Sequence, residues 1–181
     1  MLGYYSRLLK GASVVMANTK PALSPANAAL DFLYDRPGFI VRRAHQICMS
    51  MFAESCAGLD ITPTQFGIMT IVKHCPGLDQ ISVARLLGHD RSTTMLVVRL
   101  LAKRGIHDKT SVEEDKRKNA LSLTPAGQTL WTQCDKKLTE LKHTLAEPFS
   151  PGEREAFIYL LNKFNAAFND RARTTLEGND G

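Results

Sequence analysis

Residues 87–127 read LGHDRSTTMLVVRLLAKRGIHDKTSVEEDKRKNALSLTPAG, and this stretch decides the fold of the 181-residue chain. A helical period of apolar residues runs over residues 91–104 and stops at Gly105. The period is lost over residues 106–123, where two short runs of mixed character flank the polar tip SVEEDKRKN, a pattern typical of a β-hairpin. The stretch therefore predicts one helix followed by a hairpin.

A second, shorter helix is predicted immediately before the first, over residues 80–87. Ala84 is small enough for two steeply crossing helices to approach each other, and Gly88 tolerates the left-handed backbone angles that the turn requires. Asp90 can cap the following helix with its carboxylate. This spacing predicts a helix-turn-helix.

The helix over residues 91–104 has two different sides. Thr94, Val97, Val98 and Leu101 are predicted to face the core. The opposite side of its N-terminal half carries hydroxyls and arginines, which suit phosphates and base edges in a major groove. The two apolar residues on that side are compatible with contact to thymine methyls or with partial burial of one of them. The predicted DNA contacts on this helix are Arg91, Ser92, Thr93, Met95, Leu96 and Arg99.

The hairpin tip carries a short basic run, Lys116-Arg117-Lys118, directly after three acidic residues. Residues 90–118 hold eight Lys or Arg and five Asp or Glu, so +3 of the formal net charge of +5 lies there. A charge run alone is usually a solvated loop, but an arginine at a hairpin tip next to a helix-turn-helix can enter a narrow minor groove. A carboxylate two residues earlier can orient that arginine. The predicted DNA contacts of this wing are Asp115, Lys116, Arg117 and Lys118.

The composition is that of a globular protein, with 44% hydrophobic and 23% charged residues. No apolar run approaches the roughly 18 residues of a membrane span, and no clean cleavage site follows the N-terminus. Four scattered cysteines show no disulfide framework. We therefore predict a cytoplasmic protein with no membrane partner.

Three helix starts, one inside this stretch and one on either side of it, combine a capping hydroxyl with a first-turn proline: Thr124-Pro125, Thr62-Pro63 and Ser150-Pro151. The hydroxyl accepts a hydrogen bond from an unpaired backbone N–H, and proline has no N–H to leave unpaired. Another helix is predicted to start at Asp35-Arg36-Pro37.

Residues 87–127, together with the preceding LDITPTQFGIMTIV, resemble the core of the MarR family of winged helix-turn-helix regulators. The resemblance covers roughly residues 39–161, and its most specific part is Asp115-Lys116-Arg117 followed by LSLTPAG. It implies a homodimer on double-stranded DNA, with Asp115 and Arg117 as the wing pair. Family members often carry a polar or basic residue in place of Leu96 and an acidic or polar one in place of Arg99, so an operator sequence does not transfer from a relative.

The resemblance sets the predicted organisation of the chain. The fold class is mainly α with a small β-hairpin wing: a winged helix-turn-helix reading head plus N- and C-terminal dimerisation helices. We predict a flexible arm over 1–33, a single domain over 34–172 and a flexible tail over 173–181. Within the domain, the dimerisation helices span 36–57 and 150–172, the winged helix-turn-helix core spans 62–123, and a connecting helix spans 125–146.

Members of this family commonly respond to phenolic or aromatic acids bound between the dimerisation helices and the reading head. By this resemblance the predicted effector is an aromatic acid or its acyl thioester. Arg43 or His45 would suit a carboxylate, and Phe and Met surfaces would suit a ring, although each apolar residue alone is also explained as plain core. The candidate lining residues are Arg43, His45, Met49, Phe52, Phe66, Met69 and Trp131.

Other chemistries find little support in the sequence. His45 and Cys48 are three residues apart and His74 and Cys75 are adjacent, but CxxC and HExxH motifs are missing, so no metal or cofactor is predicted. The chain has no nucleophile elbow or phosphate-binding glycine loop, so it is predicted not to be an enzyme. Members that sense hydroperoxides place a reactive cysteine where this chain has Gly38-Phe39-Ile40. Two alternatives stay open: a metal- or redox-responsive regulator of the same fold, and a ligand-binding dimer without DNA binding.

Overall fold

The computed structural model describes residues 25–110 and 120–176. The predicted wing-tip residues Asp115, Lys116, Arg117 and Lys118 lie outside the described residues. These described residues fall into two compact units, divided between His45 and Gln46. In the described part of the chain, no helix is both long and apolar enough to cross a membrane.

The first unit contains helix α1 (Pro25–Tyr34) and the beginning of helix α2 (Pro37–Ser55). The sequence predicted an irregular arm as far as residue 33, so α1 is a departure from that prediction. Between the two helices the Arg36 guanidinium lies 4.1 Å from the centroid of the Phe32 ring. A cation over an aromatic face stabilises this corner, and apolar periodicity carries no signal for such a contact.

The second unit contains the rest of α2, five further helices and one hairpin among its described residues. A 3-10 turn, Asn169–Arg171, follows the last helix. The predicted fold class, mainly helical with a small wing, is confirmed. The elements in order are α3 (Pro63–His74), α4 (Gln80–Leu87), α5 (Arg91–Lys103), β1 (His107–Thr110), β2 (Ala120–Leu123), α6 (Pro125–Ala146) and α7 (Pro151–Ala167).

The predicted capping residues start their helices as expected. Thr62 Oγ1 accepts a hydrogen bond from Gln65 N at 3.2 Å, and Gln65 Oε1 accepts one from Thr62 N at 2.9 Å. Ser150 and Glu153 form the same reciprocal capping box at the start of α7. Each pair satisfies two backbone donors that a helix start otherwise leaves open.

The core of the reading head lies where α3, α4 and α5 meet the base of the hairpin. Its members are apolar, and most expose no surface at all. Burial of this set fixes the two helices of the helix-turn-helix, α4 and α5, on α3. Helix α5, which carries predicted DNA contacts and which we call the reading helix, therefore has a rigid support. The buried residues are Ile68, Met69, Val72, Val83, Val98, Leu101, Ile106 and Leu121.

The wing is an antiparallel hairpin in which His107 pairs with Leu123 and Thr110 pairs with Ala120. The outer edge of β2 is also hydrogen-bonded. Gly77 N donates to Leu121 O at 3.1 Å, and Leu121 N donates to Leu78 O at 3.0 Å. The segment after α3 therefore holds the base of the wing against the helices.

A smaller apolar cluster joins the C-terminal part of α2 to α6. Its buried members are Phe52, Cys56 and Leu141, with Phe66 of α3 packed against them. This cluster connects the end of the predicted dimerisation helix to the start of the reading head, and all its residues lie in the second unit.

Candidate nucleic-acid interface

The turn between α4 and α5 has the geometry that the sequence predicted. Ala84 is 1% exposed, so the helices cross closely over it. Gly88 ends α4 with φ +61° and ψ 30°, in the left-handed region where a side chain would be strained. This turn sets the angle at which α5 projects from the reading head.

Asp90 caps the first turn of α5. Its Oδ1 accepts hydrogen bonds from Ser92 N at 2.9 Å and from Thr93 N at 3.1 Å. The hydrogen bond from Thr93 holds the pKa of Asp90 below its usual value. The hydrogen bond from Ser92 and the positive charge of Arg173 act in the same direction. The cap therefore stays ionised and keeps the start of the helix ordered.

The two sides of α5 divide as predicted. Thr94, Val98 and Leu101 are fully buried, and Thr94 Oγ1 donates to Asp90 O at 3.1 Å. Met95 is 37% exposed and Leu96 is 59% exposed, so neither is core. The residues predicted to contact DNA are all exposed on this helix: Arg91, Ser92, Thr93, Met95, Leu96 and Arg99. Their contact with DNA stays a prediction.

A cavity of about 680 Å³ lies beside the start of α5 and brings in residues that the sequence did not single out. Arg85 and His89 line it from α4 and the turn, and residues 172–175 line it from the C-terminal side. Arg85 directly follows Ala84 in the helix-turn-helix, so its basic side chain could have been recognised from the sequence as a candidate DNA contact. No local pattern linked the C-terminal segment to this place.

The base of the wing is fixed by the start of α6. Thr124 Oγ1 donates to Gly105 O at 2.6 Å and accepts from Gly127 N at 3.0 Å. Gly127 lies so close to the hairpin that a Cβ there would be 2.2 Å from Ile106 O. Only a glycine allows this approach, so the wing emerges at a fixed place next to α5.

His107 is the buried polar residue at the start of the wing, with 4% of its surface exposed. Among the described residues, neither ring nitrogen makes a hydrogen bond of good geometry, although the backbone of Ser122 interacts with the ring. Burial lowers the pKa of His107, and the backbone of Ser122 offsets part of that effect. The imidazole is therefore held neutral inside the hairpin.

Of the candidate effector residues in the second unit, Phe66 lies against Trp131. The rings of Phe66 and Trp131 stack with centroids 6.2 Å apart and planes at 10°. Trp131 Nε1 donates to Thr70 Oγ1 at 3.0 Å, and Lys73 Nζ lies 4.5 Å from the centroid of the Trp131 ring. The His74 ring packs edge-on against the same indole, with ring centroids 5.7 Å apart. The sequence missed Lys73 and His74, which bring positive or hydrogen-bonding groups to an aromatic surface.

The other predicted effector residues behave differently. Met69 exposes no surface and belongs to the reading-head core, so it is a core residue rather than the lining of an open site. Phe52 is buried in the smaller cluster, whereas Met49 is 41% exposed. Arg43 and His45 are exposed residues of α2 in the first unit.

Two cysteines form a buried pair of thiols. Burial raises the pKa of Cys56, and burial and the neighbouring Cys56 raise the pKa of Cys134 to about 11. A thiol that stays protonated is a poor nucleophile, which disfavours these two as redox sensors. Among the described residues, no group of three His, Cys, Asp or Glu is placed to hold a metal ion.

No protein-family model matches the sequence. Among solved structures, a probable transcriptional regulator from Pseudomonas aeruginosa is 30% identical, with 73% of this chain and 98% of that chain covered and a TM-score of 0.68. PcaV from Streptomyces coelicolor, solved with its natural ligand, is 26% identical over 82% of this chain and 99% of its own, with a TM-score of 0.69. The repressor CouR, bound to a 23-mer DNA duplex, is 26% identical over 73% and 94%, with a TM-score of 0.68.

A helix-turn-helix followed by a hairpin, with a hydroxyl- and arginine-bearing reading helix, defines this protein as a winged helix-turn-helix DNA-binding regulator. Its fold is also that of Escherichia coli MarR, at 22% identity and a TM-score of 0.59 over 71% of this chain and 96% of that one. The chain belongs to the MarR family of transcriptional regulators.

Proposed function

We propose that this protein is a homodimeric repressor that binds a pseudo-palindromic operator through α5 and the wing, and that an aromatic acid or its acyl thioester releases it. The observation that carries the proposal is the exposed side of α5, whose N-terminal half presents arginine and hydroxyl groups beside a fixed wing base. CouR, which shares this fold, was solved on duplex DNA. The proposal includes no catalytic activity and a cytoplasmic location with the DNA.

The dimer is supported by apolar surface that α7 leaves uncovered. Every residue of α7 is exposed, although the helix is rich in large apolar side chains. Patches of this kind mark protein interfaces, because a monomer gains nothing by leaving them in water. The exposed apolar residues of α7 are Phe157, Ile158, Tyr159, Leu160, Leu161 and Phe164.

Selection of bound duplexes from a random DNA pool, followed by gel shifts over a salt series, tests the DNA-binding part. We expect binding to weaken steeply as salt rises, because lysine and arginine side chains displace counterions from phosphates. Arg91→Ala and Arg117→Ala should weaken binding, while Lys142→Ala, on the exposed face of α6, should leave it unchanged. Failure to enrich any duplex would contradict the proposal and favour a ligand-binding dimer.

The effector part rests on the aromatic surface around Trp131. PcaV was solved with its natural ligand, and CouR was also solved with p-coumaroyl-CoA. In this chain Phe66 and Trp131 could flank a ring, and Lys73 could pair with a carboxylate or phosphate. Arg43 and His45 stay predicted contacts.

A thermal-shift screen of aromatic acids and their coenzyme A thioesters, each repeated in the DNA gel shift, tests this part. A true effector should raise Tm and release DNA at the same concentrations. Lys73→Gln should weaken its binding about tenfold, the effect of losing one charge-assisted hydrogen bond of ~1.5 kcal/mol. Lys136→Gln, an exposed charge change on α6, is the control. If no compound in the screen shifts Tm, the aromatic effector is wrong.

A further inference from the structure

The segment after the 3-10 turn folds back on itself. Asn169 Nδ2 donates to Leu176 O at 3.1 Å, and Leu176 N donates to Asn169 Oδ1 at 2.9 Å. These two hydrogen bonds close a small loop, which we call the C-terminal clasp (Ala172–Leu176). The sequence predicted a flexible tail from residue 173, whereas Leu176 is held by the side chain of Asn169 in the 3-10 turn, a contact that no apolar periodicity reveals.

The clasp is attached to the turn of the helix-turn-helix. Thr174 Oγ1 donates a hydrogen bond to Gly88 O. The Leu176 side chain lies directly over Gly88, because a Cβ at position 88 would be 3.1 Å from Leu176 Cδ2. One polar contact and one apolar contact therefore fix the clasp on the residue that orients α5.

This position puts the clasp beside the DNA-facing start of α5. The clasp residues 172–175 share one cavity with Arg91, Ser92 and Met95, three of the predicted DNA contacts. The lining of that cavity contains three arginines and one carboxylate, Asp90, so its formal charge is +3 − 1 = +2 with histidine neutral. The third arginine, Arg173, comes from the clasp and acts electrostatically on Asp90.

We propose that the C-terminal clasp is a third DNA-contacting element, in which Arg173 binds a backbone phosphate next to the start of α5. The proposal rests on the DNA interface proposed above. Asp90 is needed to cap α5, but its negative charge repels phosphates at that point. Arg173 offsets this charge, and the hydroxyls of Thr174 and Thr175 add donors of the kind that contact phosphate oxygens.

The charge of the clasp also argues against self-inhibition. A segment that blocked the reading helix by mimicking DNA would present carboxylates to it. The described clasp residues carry one arginine and two threonines and no acidic group. A cationic segment is attracted to DNA, so it should stay in place when the duplex docks.

The test is the salt dependence of binding by the full-length dimer, measured on a selected duplex and on a duplex of unrelated sequence. Arg173→Gln should reduce the magnitude of the negative slope of log K against log salt by about 1, the value for one lost phosphate contact. Binding to both duplexes should weaken by the same factor, because a phosphate contact carries no sequence information. Arg171→Gln removes the same charge just outside the cavity and should change the slope less.

A second variant keeps the charge and releases the segment. Leu176→Ala removes the side chain that packs on Gly88, so it should weaken DNA binding while circular dichroism and Tm show a folded reading head. Tighter binding by Leu176→Ala would show an inhibitory clasp and overturn the proposal. If Arg173→Gln left the salt slope unchanged while Arg91→Ala still weakened DNA binding, the clasp proposal would be overturned and the proposed function would stay intact. If the wild-type protein bound neither duplex, both would fail.

Discussion

Gly127 shows how one missing side chain fixes the wing. A Cβ at this position would clash with the backbone, at 2.2 Å from Ile106 O. The clash can be relieved only if the two backbone segments move apart. We expect Gly127→Ala to lower the free energy of unfolding by about 1–3 kcal/mol, as overpacked positions do. Chemical denaturation monitored by circular dichroism measures this change.

Gly152 provides the matched control for that substitution. It also lies near the start of a helix, but a Cβ there would meet no atom within 4 Å. Gly152→Ala should therefore raise the free energy of unfolding by about 0.4–1 kcal/mol, because alanine restricts the unfolded chain. Equal effects of the two substitutions would mean that the close approach at Gly127 does not hold.

His107 should make the stability of the reading head depend on pH. Its pKa is lowered in the folded protein, so as pH falls below 6.5 the unfolded chain takes up a proton before the folded one does. The free energy of unfolding should therefore fall with pH below that value, by at most about 1.4 kcal/mol per pH unit from this group. His107→Leu should reduce the slope.

Denaturation curves between about pH 5 and pH 7 measure that slope, a window set by the ordinary histidine pKa of ~6.5. His143→Gln, at an exposed histidine of α6, is the control and should leave the slope as in the wild type. A slope that persists in His107→Leu would assign the pH dependence to other groups.

At the scale of elements, Arg104 ties the end of the reading helix to the loop that follows α2. Its Nη1 donates to Asp60 O at 2.6 Å and its Nη2 to Leu59 O at 3.4 Å. Asp60 has φ +48°, so the loop adopts a conformation that needs outside support. Arg104→Ala should lower the free energy of unfolding by about 1.5–3 kcal/mol, the range for hydrogen bonds from a charged group.

A substitution of the Asp60 carboxylate distinguishes the hydrogen bonds to the backbone from an ion pair. The carboxylate lies 3.5 Å from Arg104 Nη2 but is 93% exposed. Asp60→Asn keeps the backbone carbonyl that accepts the hydrogen bond from Arg104 and removes only the side-chain charge. It should therefore change the free energy of unfolding by less than ~1 kcal/mol. If Asp60→Asn were as damaging as Arg104→Ala, the ion pair and not the backbone contact would hold the loop.

At the scale of the whole molecule, the exposed apolar side of α7 should be the part that a second copy covers. Leu160 is 59% exposed in the isolated chain. Leu160→Asp would place an unpaired charge in that interface, at a cost of about 3–5 kcal/mol, and should weaken dimerisation by more than ~100-fold. Analytical ultracentrifugation measures the effect, and gel shifts should show weaker DNA binding by the monomer.

Lys142→Asp introduces a carboxylate at an exposed position of α6, with an even larger change of charge, and should leave a dimer. A Leu160→Asp protein that remains dimeric at the wild-type concentration range would place the interface elsewhere. The prediction concerns α7 alone, since its apolar residues lie together in the second unit.

The sequence by itself determined the helices and the hairpin from residue 37 to Ala167, and the two sides of the reading helix, but not helix α1. Capping residues at Thr62, Thr124 and Ser150 start their helices where predicted, and Gly88 adopts the turn conformation predicted for it. These features depend on neighbours three or four residues away, so local spacing is enough to reveal them.

Only the tertiary structure decided which distant residues share a site. It placed Lys73 and His74 on Trp131, assigned Met69 to the core, and brought the clasp residue Thr174 to Gly88, 86 residues earlier in the chain. Contacts at such separations follow from how helices pack rather than from periodicity along one helix. For that reason a residue type and spacing could predict the DNA-reading helix, but they could not predict the clasp beside it.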